Sequence, residues 1–177
     1  YVLLSKYMQE RLPVKGKAVS VIEGMYYSEF DNHFLDGGIC MEQSDEKILL
    51  YTGTLDARYG IVTLLRAFMM LKNPSYRLVI CGDGDSRNTV TKYSFPSKTI
   101  EYLASGTPVL LYKLAGIPDE YYEYCFTVED NSDEALSKKI DEILNMDRAV
   151  LRSLGMRARK FILTEKSPKN QCKKLVD

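Results

Sequence analysis

Residues 95–118 read FPSKTIEYLASGTPVLLYKLAGIP, and the order of elements they spell decides the fold. The run passes from a turn to a short helix, a glycine stop, a buried strand and a second glycine-containing turn. Pro96 suits the first turn of a helix, where its missing N–H costs nothing. Ser97 to Ala104 is compatible with helix, and Gly106 stands as its C-terminal stop. Pro108 to Leu111 is a short apolar run of the kind that forms a strand covered on both faces. Glu101, the only acid of that helix, therefore lies on an element leading directly into a central sheet. A carboxylate there can accept two hydroxyl hydrogen bonds from a ribose. A solvated helix glutamate is the plainer reading, and spacing alone leaves both open.

Working outward, the rest of the chain alternates in the same way. Tyr1 to Ser5 and Ala18 to Ile22 are strand-like, with Lys6 to Leu12 a helical turn or two before Pro13. Residues 31–46 are polar, carry Gly37-Gly38 and read as a linker or hinge. Ile48 to Thr52 is a continuous apolar strand, followed by a loop bounded by Gly53 and Gly60. Ile61 to Leu71 places Leu64, Leu65, Phe68 and Leu71 at helical spacing, ending at Asn73-Pro74. Arg77 to Cys81 is the next strand, with a Gly-Asp-Gly-Asp turn after it. Phe126 to Val128 forms a short strand, and helices are expected over Glu134–Leu144, Asp147–Leu163 and Pro168–Val176. Alternating strands and helices imply parallel pairing through right-handed crossovers. Ligands in such sheets bind at the carboxyl ends of the strands.

Composition narrows the function. The 177 residues are enough for one ordinary domain with a substantial core. Lys plus Arg and Asp plus Glu number 24 each, so no global charge argues for nucleic acid or an anionic membrane. No apolar run has the length to span a bilayer. The opening YVLLSKYMQERL lacks the basic flank and cleavage site of a signal peptide. Cys40, Cys81, Cys125 and Cys172 are widely spaced, and with the single His33 they form no metal-ligand cluster. Reduced thiols of a cytoplasmic protein are the simplest account. The 13 tyrosines and 6 phenylalanines make no repeating platform for stacked bases.

Several of these segments share a resemblance. ILLYTGTLDARYGIVTLLRAF (48–68) resembles the opening strand, loop and helix of the C-terminal domain of retaining GT-B glycosyltransferases of family 4. LVICGDGD resembles its second strand and turn, FPSKTIEYLASGTPVL its donor-binding helix and strand, and LAGIPDE the following loop. SKYMQERL and VSVIEGMYYSEFD resemble the end of the preceding N-terminal domain and the crossing between domains. The implied fold is α/β, a Rossmann-like parallel sheet with helices on both faces. Residues 1–46 would be the tail of an N-terminal domain and a hinge, and residues 47–177 the nucleotide-sugar-binding domain.

The resemblance implies a nucleotide-diphosphate sugar as donor, no cofactor, and metal-independent transfer with retention, aided by electrostatic stabilisation of the leaving diphosphate. Glu101 matches the second glutamate of the family's E-x7-E motif, the one that holds the ribose. The first glutamate falls on Tyr93. A tyrosine hydroxyl, or the backbone from Ser94 through Phe95 and Pro96 to Ser97, would have to substitute, since N–H groups at a helix start favour phosphate. Lys98 on the same turn could add charge or simply face solvent. Relatives carry an Arg after the first glycine of the earlier loop and a Lys before the second; here those places hold Thr54 and Tyr59. Arg58 is then the candidate for the diphosphate, with an exposed loop arginine as the alternative. Gly53 and Gly60 would permit close approach of backbone to ligand, or simply end the strand and start the helix. Gly82 and Gly84 form only part of a GxGxxG pattern, better read as a tight turn. Gly116 and Ile117 line the site by resemblance.

Too few residues separate Asp85 from Pro96 for the passage this fold requires. Roughly 40–50 residues are missing by the size of ordinary βαβ units, with the join expected between Ser86 and Thr91. The leading reading is a cytoplasmic glycosyltransferase of bacterial surface polysaccharide or glycolipid synthesis, with peripheral attachment to the inner face of the membrane left open. Its partners would be a nucleotide sugar, a glycan or lipid-linked acceptor and its own N-terminal GT-B domain, with no nucleic acid. The second reading is a degenerate, non-catalytic nucleotide- or partner-binding module, and a sugar-nucleotide epimerase is a third.

Overall fold

Each strand read from the sequence recurs in the computed structural model, which describes residues 1–27, 45–82, 95–128, 130 and 132–175. The chain falls into two compact units. One comprises Tyr1–Asp36, Thr89–Thr127 and Asp147–Asp177, and the other Gly37–Asn88 and Val128–Met146.

In the second unit, β3 (Lys47–Thr52) pairs in parallel with β4 (Tyr76–Cys81), from Lys47 opposite Tyr76 to Thr52 opposite Cys81. Helix α1 (Ile61–Met69) joins them, starting from Gly60 in the left-handed conformation (φ 81°) that glycine adopts without steric cost. It buries Ile61 and Ala67 and packs beside α3 (Asp133–Leu144), which buries Leu136, Ser137 and Ile140. Ser132 caps α3 by accepting from the Ala135 N–H at 3.2 Å. The Tyr76 hydroxyl donates to Asp141 at 3.1 Å, and the Lys47 ammonium donates to the Leu144 carbonyl at the helix end. Ile48 and Leu50 of β3 remain 61% and 58% exposed.

The first unit holds β1 (Val2–Leu3) in parallel with β2 (Ser20–Val21), and β5 (Leu110–Tyr112) beside β6 (Phe126–Val128). Its core gathers α2 (Lys98–Ala104) and α4 (Arg148–Glu165) around Leu103, Tyr121, Ala158 and Ile162, each fully buried. Asp147 caps α4 through the Ala149 N–H at 2.6 Å, and Ser167 caps α5 (Pro168–Lys173), whose Pro168 sits in the first turn. Ala104 is followed by Gly106 at φ 77°, which lets the chain turn back so tightly that a Cβ on Gly155 of α4 would lie 1.9 Å from the Gly106 carbonyl oxygen.

The α/β character with parallel strands is as read from the sequence. The strands nevertheless pair two by two among the described residues and do not form one continuous sheet. Only residues 82–97 separate β4 from α2, too few for the βαβ unit of about 30 residues that would fill a wider sheet. The expected join between Ser86 and Thr91 lies outside the described residues. So does the hinge, apart from Asp45 and Glu46, the latter paired with Arg77 at 2.9 Å. Lys6–Glu10 is a 3-10 helix, and a further 3-10 helix at Asp119–Tyr124 occupies what reads as loop.

Candidate functional site

Helix α2 sorts its residues by face. Thr99, Ile100, Leu103 and Ala104 are buried, whereas Ser97, Lys98 and Glu101 are exposed. Positions three and four apart share a helix face, so these three polar residues form one solvent-facing group. The Glu101 carboxylate is thus free to take a ligand hydroxyl. Pro96 is half-buried, and its carbonyl accepts the Thr99 N–H at 2.9 Å to close the first turn. Phe95 is different. Its ring is 7% exposed and packs against Tyr121 at 5.3 Å, so its side chain belongs to the core. Tyr93 and Ser94 lie outside the described residues.

The loop before Ile117 is held by Tyr122, whose hydroxyl donates to the Leu114 carbonyl at 3.0 Å and accepts from the Leu114 N–H at 2.8 Å. Gly116 is buried, and Ile117 faces the core at 4% exposure.

In the other unit, Gly53 follows β3 and Gly82 follows β4. The Gly53 N–H donates to the Cys81 carbonyl at 3.0 Å, and a Cβ on Gly82 would fall 1.8 Å from the Gly53 carbonyl oxygen. The pair brings two backbones together just past the carboxyl ends of parallel strands. Thr54 is exposed, and its carbonyl accepts both the Tyr51 hydroxyl (2.9 Å) and the Asp56 N–H (3.0 Å). Arg58 lies in the 3-10 turn Ala57–Tyr59, beside the 44% exposed Tyr59. A shallow depression elsewhere in this unit, about 460 Å³, is lined by residues such as Lys72, Glu134, Lys138 and Asp141 and contains no predicted site residue. Gly53, Thr54 and Arg58 thus belong to one unit and Pro96 to Glu101 to the other.

A buried polar cluster escaped the sequence reading. Lys166, 2% exposed, donates to Glu23 and Glu120, each at 2.5 Å, and the Tyr121 hydroxyl donates to Glu23 at 3.1 Å. The Lys166 ammonium also lies 4.7 Å from the centre of the Tyr121 ring. Burial by itself would raise the Glu23 carboxyl. The Lys166 hydrogen bond, a backbone hydrogen bond and the charges of Lys166 and Lys174 outweigh it and hold the carboxyl below its usual range. Burial, with the Glu23 charge beside it, drives the Tyr121 hydroxyl far above its ordinary value, and burial pushes the Cys125 thiol up to about 11. Beside the cluster, Gln171 donates to the Gly24 carbonyl at 2.9 Å, and a Cβ on Gly24 would meet Ile100 of α2 at 2.7 Å. No spacing rule connects residues 23, 120, 166 and 171; only folding brings them together.

Three comparisons bear on identity. Residues 41–94, about a third of the chain, match the family model described as glycosyl transferases group 1. The matched stretch spans β3, the Gly53–Gly60 loop, α1 and β4, and it supports a GT-B glycosyltransferase. Among solved structures, the N-terminal domain of Candida albicans trehalose-6-phosphate phosphatase is similar at TM-score 0.64 and 11% identity over 90% of this chain. At that identity the likeness is one of fold, and this chain covers 50% of that chain's length. The search of curated proteins found no match.

Proposed function

We propose that this chain is mainly the donor-binding half of a retaining glycosyltransferase that uses a nucleotide-diphosphate sugar. The observation that carries the reading is the group 1 glycosyl transferase match over the β3–α1–β4 segment. Gly53 and Gly82 make a close backbone approach at the carboxyl ends of those strands, where open α/β sheets take their ligands. The exposed group Ser97, Lys98 and Glu101 supplies what a ribose and a diphosphate need, namely a carboxylate acceptor and a cation. In the proposed reaction the bond from the sugar's anomeric carbon to the diphosphate oxygen breaks and a bond to the acceptor hydroxyl forms. Lys98 and backbone N–H groups at the start of α2 would stabilise the departing charge without a metal. The acceptor would be a glycan or lipid-linked sugar of bacterial surface polysaccharide synthesis, at the cytoplasmic side, with an N-terminal GT-B domain completing the site.

Thr54, Tyr59 and Tyr93 favour a second reading, since they stand where relatives carry charged ligands. In that reading the chain is a non-catalytic module that binds a nucleotide or a protein partner.

Thermal shifts with UDP, GDP, ADP and CMP on wild type and Glu101→Ala separate the two. Ligand at about 100 times its dissociation constant stabilises by roughly 2.7 kcal/mol, or about 2–4 °C for a domain near this size. A shift with one diphosphate that vanishes in Glu101→Ala is the expected result. A folded sample that responds to none of the four overturns the donor-binding reading.

A further inference from the structure

We propose that the solvent face of α4 and α5 is a docking surface for an anionic lipid bilayer. Residues 148–175 carry nine Lys and Arg against one acid, Glu165, in a chain with 24 charges of each sign. The C-terminal segment is therefore strongly basic in a neutral chain. Three of the nine cations are committed inward: Lys166 to its buried carboxylates, Lys174 to Glu23 at 3.9 Å, and Arg159 to the Ala104 carbonyl at 2.5 Å. Arg152, Arg157, Lys160, Lys169 and Lys173 are exposed. Aliphatic side chains stand among them, with Val150 57%, Met156 54% and Leu175 49% exposed. Gly155, Ala158, Phe161 and Ile162 take the opposite, buried face of α4. Its 18 residues make a cylinder about 27 Å long.

The 3-10 helix Asp119–Tyr124 packs beside α4 and carries Asp119, Glu120 and Glu123. Glu120 is taken by Lys166, and the neighbouring Tyr124 ring stacks on Phe161 and lies 5.9 Å from the Arg157 guanidinium. Exposed cations interleaved with aliphatic side chains match the polar and apolar layers of a lipid interface. The pattern fits nucleic acid less well. Phe161, 6% exposed, is the only aromatic residue in the segment, so α4 and α5 offer no surface for base stacking. This inference rests on charge distribution and is independent of the proposed reaction.

Flotation of the 177-residue chain with phosphatidylcholine vesicles, with and without about one third phosphatidylserine, tests it. At about 0.1 M salt the chain should float with the anionic vesicles alone, and about 1 M salt should release it. The quadruple variant Arg152→Gln, Lys160→Gln, Lys169→Gln, Lys173→Gln, with far-UV circular dichroism unchanged, should lose on the order of a hundredfold or more in partitioning. A single-substitution variant, Lys160→Gln, should lose about fivefold and serves if the quadruple variant fails to fold. No flotation, flotation indifferent to lipid charge, or unchanged flotation of the variants overturns the proposal. Binding to a single-stranded RNA oligonucleotide in place of vesicles, removed by the same substitutions, overturns it in favour of a nucleic-acid surface.

Discussion

The ammonium of Lys166, at the end of α4, lies 2.5 Å from a carboxylate oxygen of Glu23 in the segment after β2, with the two side chains 2% and 3% exposed. Removing one partner of such a pair leaves an uncompensated buried charge, at a cost of about 3–5 kcal/mol. Lys166→Met should therefore destabilise by about that much in chemical denaturation, and Glu23→Leu with Lys166→Met should recover a large part of it. Additive losses in the double variant would show that the two side chains do not act as a pair.

The same pair sets an acid sensitivity. The Glu23 carboxyl is held below its unfolded value of 4.5, so its stabilisation is complete above that value and is lost as pH falls through the depressed folded value. The difference in melting temperature between wild type and Glu23→Gln should be constant at neutral pH and shrink below about pH 4.5. A difference that stays constant down to about pH 3 would count against it.

Gly155 offers a test of sign. Helix propensity alone predicts that Gly155→Ala stabilises α4 by about 1 kcal/mol. The added Cβ would lie 1.9 Å from the Gly106 carbonyl oxygen, a backbone atom, so the helix or the turn has to move. The expected outcome is destabilisation by about 1–3 kcal/mol. A rise in melting temperature would show that the close approach is looser than described.

Phe95 and Glu101 should separate packing from binding. Phe95→Ala removes a ring in contact with Tyr121 and should cost about 3–5 kcal/mol. Glu101→Ala changes an exposed side chain and should stay within about 0.5 kcal/mol of wild type while abolishing nucleotide-induced stabilisation. A large stability loss in Glu101→Ala would mark it as structural.

Ile48 and Leu50, more than half exposed on β3, are apolar residues on a sheet that has two strands among the described residues. An additional strand–helix segment between Ser86 and Thr91 would widen that sheet and cover such residues. Peptide mapping of the protein isolated from its native source should then find residues between Ser86 and Thr91 that this sequence lacks. A peptide running directly from Asp85 to Lys92 as in this sequence would defeat the idea.

Local pattern determined much of this. Apolar runs placed β3 and β4, helical spacing placed α1, and Pro168, where the last helix is expected to start, stands at the first position of α5. Glu101 could be put on an exposed helix face because its neighbours in sequence already fix which side is buried. The 3-10 helix Asp119–Tyr124 was illegible because its one fully buried residue, Tyr121, is selected by Phe95 and Phe161 from distant segments and not by a periodic pattern. The Gly53–Gly82 and Gly106–Gly155 approaches were equally hidden, since a glycine shows in sequence as a break and only the opposing backbone shows why no side chain fits. The sequence by itself settled element types and the alternation of strand and helix, which depend on residues a few positions apart. Tertiary structure alone decided that strands pair two by two among the described residues and that Glu23, Glu120 and Lys166 share one buried site. Both depend on contacts between residues far apart in the chain, whose cost in desolvation is offset only once the fold has brought opposite charges together.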